Sequence, residues 1–270
     1  MSSQSSSAYE RASQDGSDPR CRPIRLTEPA PLGKAIRYPD YTDEDHRTWR
    51  RLWRRQIDLL EREHLACNAF LDGLAVMRFD PDRIPDLRDV DTVLQKMTGW
   101  NVARVPGLLH ERDFFAFLAQ RVFPCTDYIR PPHELDYTPA PDLFHDIFGH
   151  TPMIVNPVFA DFYQRLGQAA LRAGPKDARR LERFYWFTVE FGLIHEDGKT
   201  RVFGNGILSS HGESKHCLGN KVERRPFDVA AIVEQDYDVW HYQELLFAID
   251  SFGQLAVGFD RWATEKGLLD

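Results

Sequence analysis

The sequence predicts a mostly helical α+β domain that carries a small β element. Apolar residues recur with helical spacing in several segments. Strand signals, by contrast, are few and short. Of the 270 residues, 42% are hydrophobic, which is enough for one sizeable core.

The N-terminal region, residues 1–36, is rich in Ser, Pro and charged residues and poor in apolar ones. A segment of this composition buries too little apolar surface to offset the entropy cost of ordering. We therefore expect a disordered or loosely attached tail over 1–36, followed by one folded domain over 37–270.

The first predicted helix begins after Thr42, a good N-cap, because three acidic residues follow it in the first helical turn. Arginines at 50, 51, 54 and 55 occupy much of the opposite face, which is typical of a solvated helix surface. The apolar positions with helical spacing are Trp49, Leu52, Trp53, Ile57 and Leu60.

Further helices are predicted over 66–77, 90–97 and 111–120, with a proline-interrupted loop at 79–85. The strand candidates are Thr200–Phe203 and Leu245–Ile249. Residues 204–220 are rich in Gly, Ser and His, so we expect a loop over a site there.

The net charge of −7 and the pI of about 5.8 argue against nucleic acid or an anionic membrane as the main partner. No apolar run approaches the roughly 20 residues that span a bilayer. The four cysteines form no C-x-x-C pair, so the sequence suggests reduced thiols in a cytosolic protein.

Two histidines, His145 and His150, lie five residues apart. On a regular α-helix this offset separates two side chains by roughly 140°. Gly149 and Pro152 suggest that the helix ends there and that the backbone turns His150 back toward His145. The pair is a metal-ligand candidate, but the spacing alone is weak evidence.

Glu190 is a single carboxylate within an apolar and aromatic segment. Its helical neighbours are Trp186, Phe187, Leu193 and Ile194. A buried carboxylate needs a cation or strong donors, and a metal held by the two histidines would meet that need. A glutamate that points to water from an amphipathic helix is the alternative.

Two imidazoles and one carboxylate form the ligand set of non-haem Fe(II) oxygenases, and they also serve catalytic zinc. The many aromatic residues near these motifs suit a flat aromatic ligand. Arg130, directly before two prolines, is suited to bind a carboxylate of a ligand or of Asp142, and the two roles are compatible.

Four co-ordered segments resemble the tetrahydropterin-dependent aromatic amino acid hydroxylases. They are Cys125–Arg130 (CTDYIR), Pro139–His150 (PAPDLFHDIFGH), Tyr185–Gly192 (YWFTVEFG) and Gly206–Glu213 (GILSSHGE). The likeness runs from about Tyr38 to Phe259. The resemblance implies a mostly helical iron- and pterin-dependent catalytic domain with a small antiparallel β element.

The resemblance also implies roles for individual residues. His145, His150 and Glu190 would hold Fe(II) and act as the catalytic centre. Tetrahydropterin and O2 would be co-substrates. The implied pterin-binding residues are Leu109, Phe114, Asp146 and Tyr185, and the implied substrate-binding residues are Arg130, Thr138, Asp142, Trp186, Gly206 and Ser209.

Within these roles, Phe114 would stack on the pterin and Asp142 would orient Arg130. Asp146 stands where many members have Glu. His110 and Glu111 replace small polar residues of the animal enzymes' pterin loop.

The chain resembles the bacterial single-domain form. This likeness implies that the substrate is L-phenylalanine and that the product is L-tyrosine. It also implies a cytoplasmic monomer. The alternatives are a tryptophan or tyrosine hydroxylase, a zinc hydrolase with the same ligands, and a helical binding module without a metal. A zinc hydrolase is disfavoured, because the sequence has Asp146 after His145 and therefore lacks the H-E-x-x-H pattern.

Overall fold

The computed structural model describes residues 15–136 and 138–270. The longer helices are α1 (Asp43–Arg62), α2 (Asn68–Met77), α3 (Leu87–Thr98), α4 (Glu111–Ala119), α6 (Pro157–Arg172), α7 (Pro175–Tyr185) and α11 (Phe252–Glu265). Short α-helices are α5 (Thr151–Ile154), α8 (Asn205–Ser209), α9 (His211–His216) and α10 (Val229–Ile232). Two π-helices cover His145–His150 and Trp186–Glu190, and short 3-10 turns cover Pro19–Cys21, Gly33–Ala35 and Pro132–Glu134.

Six short strands complete the described part of the fold. They are β1 (Asn101–Val105), β2 (Val122–Thr126), β3 (Leu193–Glu196), β4 (Lys199–Val202), β5 (Glu223–Pro226) and β6 (Leu245–Ile249). Strands β1 and β2 pair in parallel across the crossover helix α4. The other four form a sheet of order β4-β3-β6-β5, in which only β3 and β4 are antiparallel. The mostly helical prediction is confirmed, but the β part is mixed instead of purely antiparallel.

The predicted first helix is present, and its cap is complete. Thr42 accepts a hydrogen bond from the backbone N–H of Asp45, while the Asp45 carboxylate accepts one from the Thr42 N–H. This reciprocal arrangement satisfies two donors that a helix start otherwise leaves unpaired. Trp49 and Leu60 lie in the core, which confirms the predicted apolar face.

Residues 204–220 differ from the predicted loop, because they contain α8 and α9. Ser210 starts α9 as its N-cap and accepts a hydrogen bond from Glu213 N. Gly206 within α8 would normally weaken this helix, but Gly206 and the N-cap residue Gly204 both pack where a side chain would meet the backbone of Glu190. Tertiary packing therefore overrides low helix propensity here.

Residues 15–36, which the sequence assigned to the tail, pack against the domain in the structure. Ile24 exchanges backbone hydrogen bonds with Leu108 and His110, at 2.8 and 3.0 Å. Leu32 forms a β-bridge with Ala103, and Ile36 is buried in the core. The rest of the predicted tail, residues 1–14, lies outside the described residues.

A close approach of α2 fixes the segment that carries His145 and His150. A Cβ on Gly73 would lie 2.1 Å from the carbonyl oxygen of Pro152, so only glycine fits at this contact. Phe144 and Phe148 stack with their ring centroids 4.8 Å apart. Phe144 also contacts α1 and so links this segment to that helix. Within the described residues, no helix is long and apolar enough to cross a membrane.

Candidate metal centre

His145 and His150 are the first and last residues of the first π-helix. In a π-helix the hydrogen bonds join residues five apart, so residue i+5 lies about one turn above residue i. The two imidazoles therefore converge, with their Nε2 atoms 3.0 Å apart. The sequence predicted this convergence from a helix that ends near Gly149. That reason was wrong, because the chain continues helically into α5.

Glu190 ends the second π-helix, in which Phe191 N donates to Trp186 O at 2.9 Å. Its Oε1 lies 3.2 Å from His150 Nε2 and its Oε2 lies 3.7 Å from His145 Nε2. One ligand atom from each of these three residues lies within 4.8 Å of the other two. Because Glu190 is 7% exposed, the alternative in which it points to water is wrong.

The protonation states of His145 and Glu190 suit a metal ion. Burial lowers the pKa of His145 to about 4, which keeps the imidazole neutral. Burial would raise the pKa of Glu190, but His150, His145 and a hydrogen bond from Tyr185 outweigh it and lower that pKa to about 2. Neutral imidazole and ionised carboxylate are the forms that ligate metals.

The outer nitrogen of His145 is held by Ser209. Ser209 Oγ donates to the carbonyl oxygen of Asn205 at 2.8 Å and lies 2.8 Å from His145 Nδ1. Because the hydroxyl hydrogen is already used, Nδ1–H of His145 donates to Oγ. The Nε2 lone pair of His145 then faces the cluster, as a metal ligand requires. These donors fit a metal ion bound among the three side chains.

Two further residues contact the centre and were missed in the sequence. Tyr163 is buried, and its hydroxyl lies 3.2 Å from the Tyr185 hydroxyl and 3.5 Å from His150 Nδ1. Asn205 is wholly buried, with Nδ2 at 2.9 Å from His150 Nδ1. The only sequence signal was the position of Asn205 in the segment expected to cover a site.

Arg130 and Asp142 form a buried bidentate pair. Asp142 Oδ2 accepts from Arg130 N and Nε at 2.9 and 2.8 Å, and Oδ1 accepts from Nη2 at 2.7 Å. The same Oδ1 accepts from the backbone N–H of His145 at 3.1 Å. One carboxylate therefore fixes the predicted substrate arginine and the start of the π-helix that carries His145 and His150.

The predicted pterin residues occupy neighbouring elements. Phe114 on α4 meets Tyr185 edge-on at 5.6 Å, and Tyr185 donates to Glu190 Oε1 at 2.6 Å. Leu109 is buried in a small apolar cluster against which Phe114 packs. Asp146 is buried and accepts from Thr126 N at 2.8 Å, and burial raises its pKa to about 7.

The remaining predicted substrate residues differ in their distance from the cluster. Trp186, which precedes Glu190 in the same π-helix, is half-buried and stacks on Tyr237 at 4.5 Å. A Cβ on Gly206 would lie 3.1 Å from Glu190 Oε2, so this residue packs directly against the Glu190 carboxylate. Thr138 is half-buried, and its hydroxyl donates within its own loop to Ala140 O.

A helical domain that brings two imidazoles and one carboxylate together around a single point has the ligand set of a mononuclear non-haem metal enzyme. Residues 27–266 match the model of the biopterin-dependent aromatic amino acid hydroxylase family. The chain belongs to this family of pterin-dependent monooxygenases, which confirms the resemblance seen in its motifs.

Individual proteins of known name are similar over most of the chain. The phenylalanine-4-hydroxylase of Chromobacterium violaceum is 43% identical over 232 residues, which cover 85% of this chain and 75% of the relative. The crystal structure of that enzyme with iron(III) and 7,8-dihydrobiopterin gives a TM-score of 0.80 at 42% identity and covers 85% of each chain. The structure with iron and phenylalanine gives 0.77 at 41% identity and covers 83% of each chain.

Proposed function

We propose that this chain is a phenylalanine 4-monooxygenase that converts L-phenylalanine to L-tyrosine with O2 and tetrahydropterin. The observation that carries the proposal is the convergence of His145, His150 and Glu190 beside the buried Arg130–Asp142 pair. The Chromobacterium violaceum relative, a phenylalanine-4-hydroxylase with solved iron, dihydrobiopterin and phenylalanine complexes, supports this choice of metal and substrates.

Fe(II) would be held by His145, His150 and Glu190, and together with the pterin it would supply the activation of O2. Three protein ligands leave coordination positions open for small molecules. Ser209 holds His145, and Tyr185 holds Glu190, so both proposed ligands are oriented by partly buried hydrogen bonds.

Arg130 would bind the carboxylate of the amino acid. Asp142 engages Nε and Nη2 of the guanidinium, and Nη1 is the nitrogen that this pair leaves for a ligand. A guanidinium held in this way presents its donors in a fixed direction. Trp186 would form a wall for the substrate ring, while Thr138, Gly206 and Ser209 would complete the pocket.

Phe114 would stack on the pterin ring, with Tyr185, Leu109 and Asp146 as its neighbours. The aromatic cluster of Phe114, Phe115 and Tyr185 is suited to a flat heterocycle. The protein then contributes mainly by positioning three reactants and excluding water. We propose further that the enzyme acts as a monomer in the cytoplasm.

Product analysis tests the proposed reaction. Purified protein is supplied with Fe(II), tetrahydropterin, O2 and one of phenylalanine, tyrosine or tryptophan, and the products are separated by liquid chromatography. We expect tyrosine from phenylalanine as the fastest reaction. Activity restored by Zn(II) in place of Fe(II), or a hydroxylated product from another amino acid only, would contradict the proposal.

Alanine variants of the proposed ligands, with an exposed histidine as the control, test the metal site. We expect His150→Ala and Glu190→Ala to lose iron binding and turnover while they retain the fold, because two ligands hold the metal too weakly. His195→Ala is the control, since His195 is exposed on β3. Turnover at the unsubstituted rate in either ligand variant would refute the assignment.

A further inference from the structure

Asn205 contacts His150 of the proposed metal centre directly and reaches His145 through Ser209. Its backbone carbonyl accepts from Ser209 Oγ, which holds His145 Nδ1. Its side-chain amide nitrogen lies 2.9 Å from His150 Nδ1. The residue is wholly buried, and its Oδ1 has no hydrogen-bond partner within the described residues.

The tautomer of His150 decides which end of this amide must face it. A neutral imidazole carries its hydrogen on one nitrogen and a lone pair on the other. If Nε2 of His150 offers its lone pair to a metal, the hydrogen must sit on Nδ1. An amide N–H that faces this Nδ1–H would repel it, whereas Oδ1 would accept its hydrogen. The two amide orientations differ only by a half-turn of the terminal group.

We propose that Asn205 is a positioning residue of the metal centre, whose Oδ1 accepts the Nδ1–H of His150 and so directs Nε2 of that ring to the metal. This inference rests on the proposed function, because it requires a bound metal. In the reverse orientation the amide N–H donates to Nδ1, and the Nε2–H of His150 then faces Glu190 Oε1 at 3.2 Å. Metal binding would therefore turn the amide so that Oδ1, instead of the amide N–H, faces His150 Nδ1.

The neighbouring aromatic residues leave the amide as the better acceptor. Tyr163 Oη lies 3.5 Å from His150 Nδ1, at the limit of a hydrogen bond, and is also 3.2 Å from the Tyr185 hydroxyl. Phe123 stacks on the His150 ring at 4.9 Å and provides no acceptor. The direction of the ring is thus restrained by stacking, and its tautomer by Asn205.

Four variants separate this role from a packing role. Asn205→Leu keeps most of the volume but removes the acceptor, and Asn205→Ala removes both. Asn205→Asp keeps an acceptor, and Tyr163→Phe removes the competing hydroxyl. The measured quantities are the dissociation constants of Fe(II) and Co(II), by competition with a chelator, and the visible absorption of the Co(II) form.

We expect about 10- to 100-fold weaker metal binding for the Leu and Ala variants, as is typical when the partner of a ligating histidine is lost. The Asp variant should bind within a few-fold of the unsubstituted protein, and Tyr163→Phe should weaken binding less than Asn205→Leu does. The Co(II) spectrum should change in the Leu variant and be restored in the Asp variant.

Other results would overturn the inference. A Leu variant with unchanged affinity and spectrum would do so, and so would an Asp variant that binds more weakly than the Ala variant. Thermal unfolding of the metal-free proteins identifies any variant that fails to fold. If either the Leu or the Ala variant does not fold, the other one is used for the test. If the unsubstituted protein itself binds no Fe(II), the proposed function fails, which is a different outcome from unchanged binding in the variants.

Discussion

The Asp142→Asn substitution tests whether the buried arginine pair holds the site together. Asp142 is fully buried and the side chain of Arg130 is 7% exposed. The two carboxylate oxygens accept four hydrogen bonds, three from Arg130 and one from the backbone of His145. An asparagine retains one oxygen, so its amide group faces two of these donors and the guanidinium charge loses its counter-ion.

The expected cost follows from burial. Breaking a buried ion pair by removing one partner costs about 3–5 kcal/mol. Because the asparagine oxygen still accepts two hydrogen bonds, we expect the lower end, about 3 kcal/mol of the free energy of unfolding. With a urea dependence of about 3 kcal/mol per M, the unfolding midpoint should fall by about 1 M.

Urea unfolding of the metal-free protein, followed by tryptophan fluorescence, measures this shift. Asp127→Asn is the matched control, because Asp127 binds Arg104 in a pair whose side chains are both about a quarter exposed. Partly exposed pairs contribute about 1 kcal/mol or less, so this midpoint should move by less than about 0.4 M. Equal shifts in the two variants would refute the argument that burial makes the Asp142 pair costly to break.

Two further substitutions make use of groups near the site. Burial raises the pKa of Glu213 from its ordinary 4.5 to about 7, so its ionisation destabilises the fold progressively as the pH rises between these values. We expect Glu213→Gln to be more stable than the unsubstituted protein by up to about 3 kcal/mol at pH 8, with the gain vanishing near pH 4.5 in thermal unfolding. A gain that does not depend on pH would contradict this cause. Gly206→Ala should weaken Fe(II) binding, because the added Cβ crowds the Glu190 carboxylate at 3.1 Å. Gly174→Ala, with open space at its Cβ, is the control, and equal metal dissociation constants in the two variants would argue against crowding.

The features that depend on close neighbours in the chain could be predicted from the sequence. The start of α1 follows from Thr42 and the acidic residues after it, and the strand Leu245–Ile249 was predicted with its observed bounds. The proposed metal ligands were suggested by residue type, because a carboxylate in an apolar segment needs a partner. The family was recognisable from four short motifs in the correct order.

The tertiary structure alone decided how those residues converge. The sequence predicted that His145 and His150 converge because a helix ends near Gly149, whereas the chain adopts a π-helix that packs against α2 and α8. The contacts of His150 with Tyr163 and Asn205 join residues 13 and 55 positions apart. The sequence by itself therefore determined which chemical groups the site contains, since these are properties of residues and their near neighbours. Their distances and hydrogen-bond partners depend on packing between distant segments, which a local pattern does not encode.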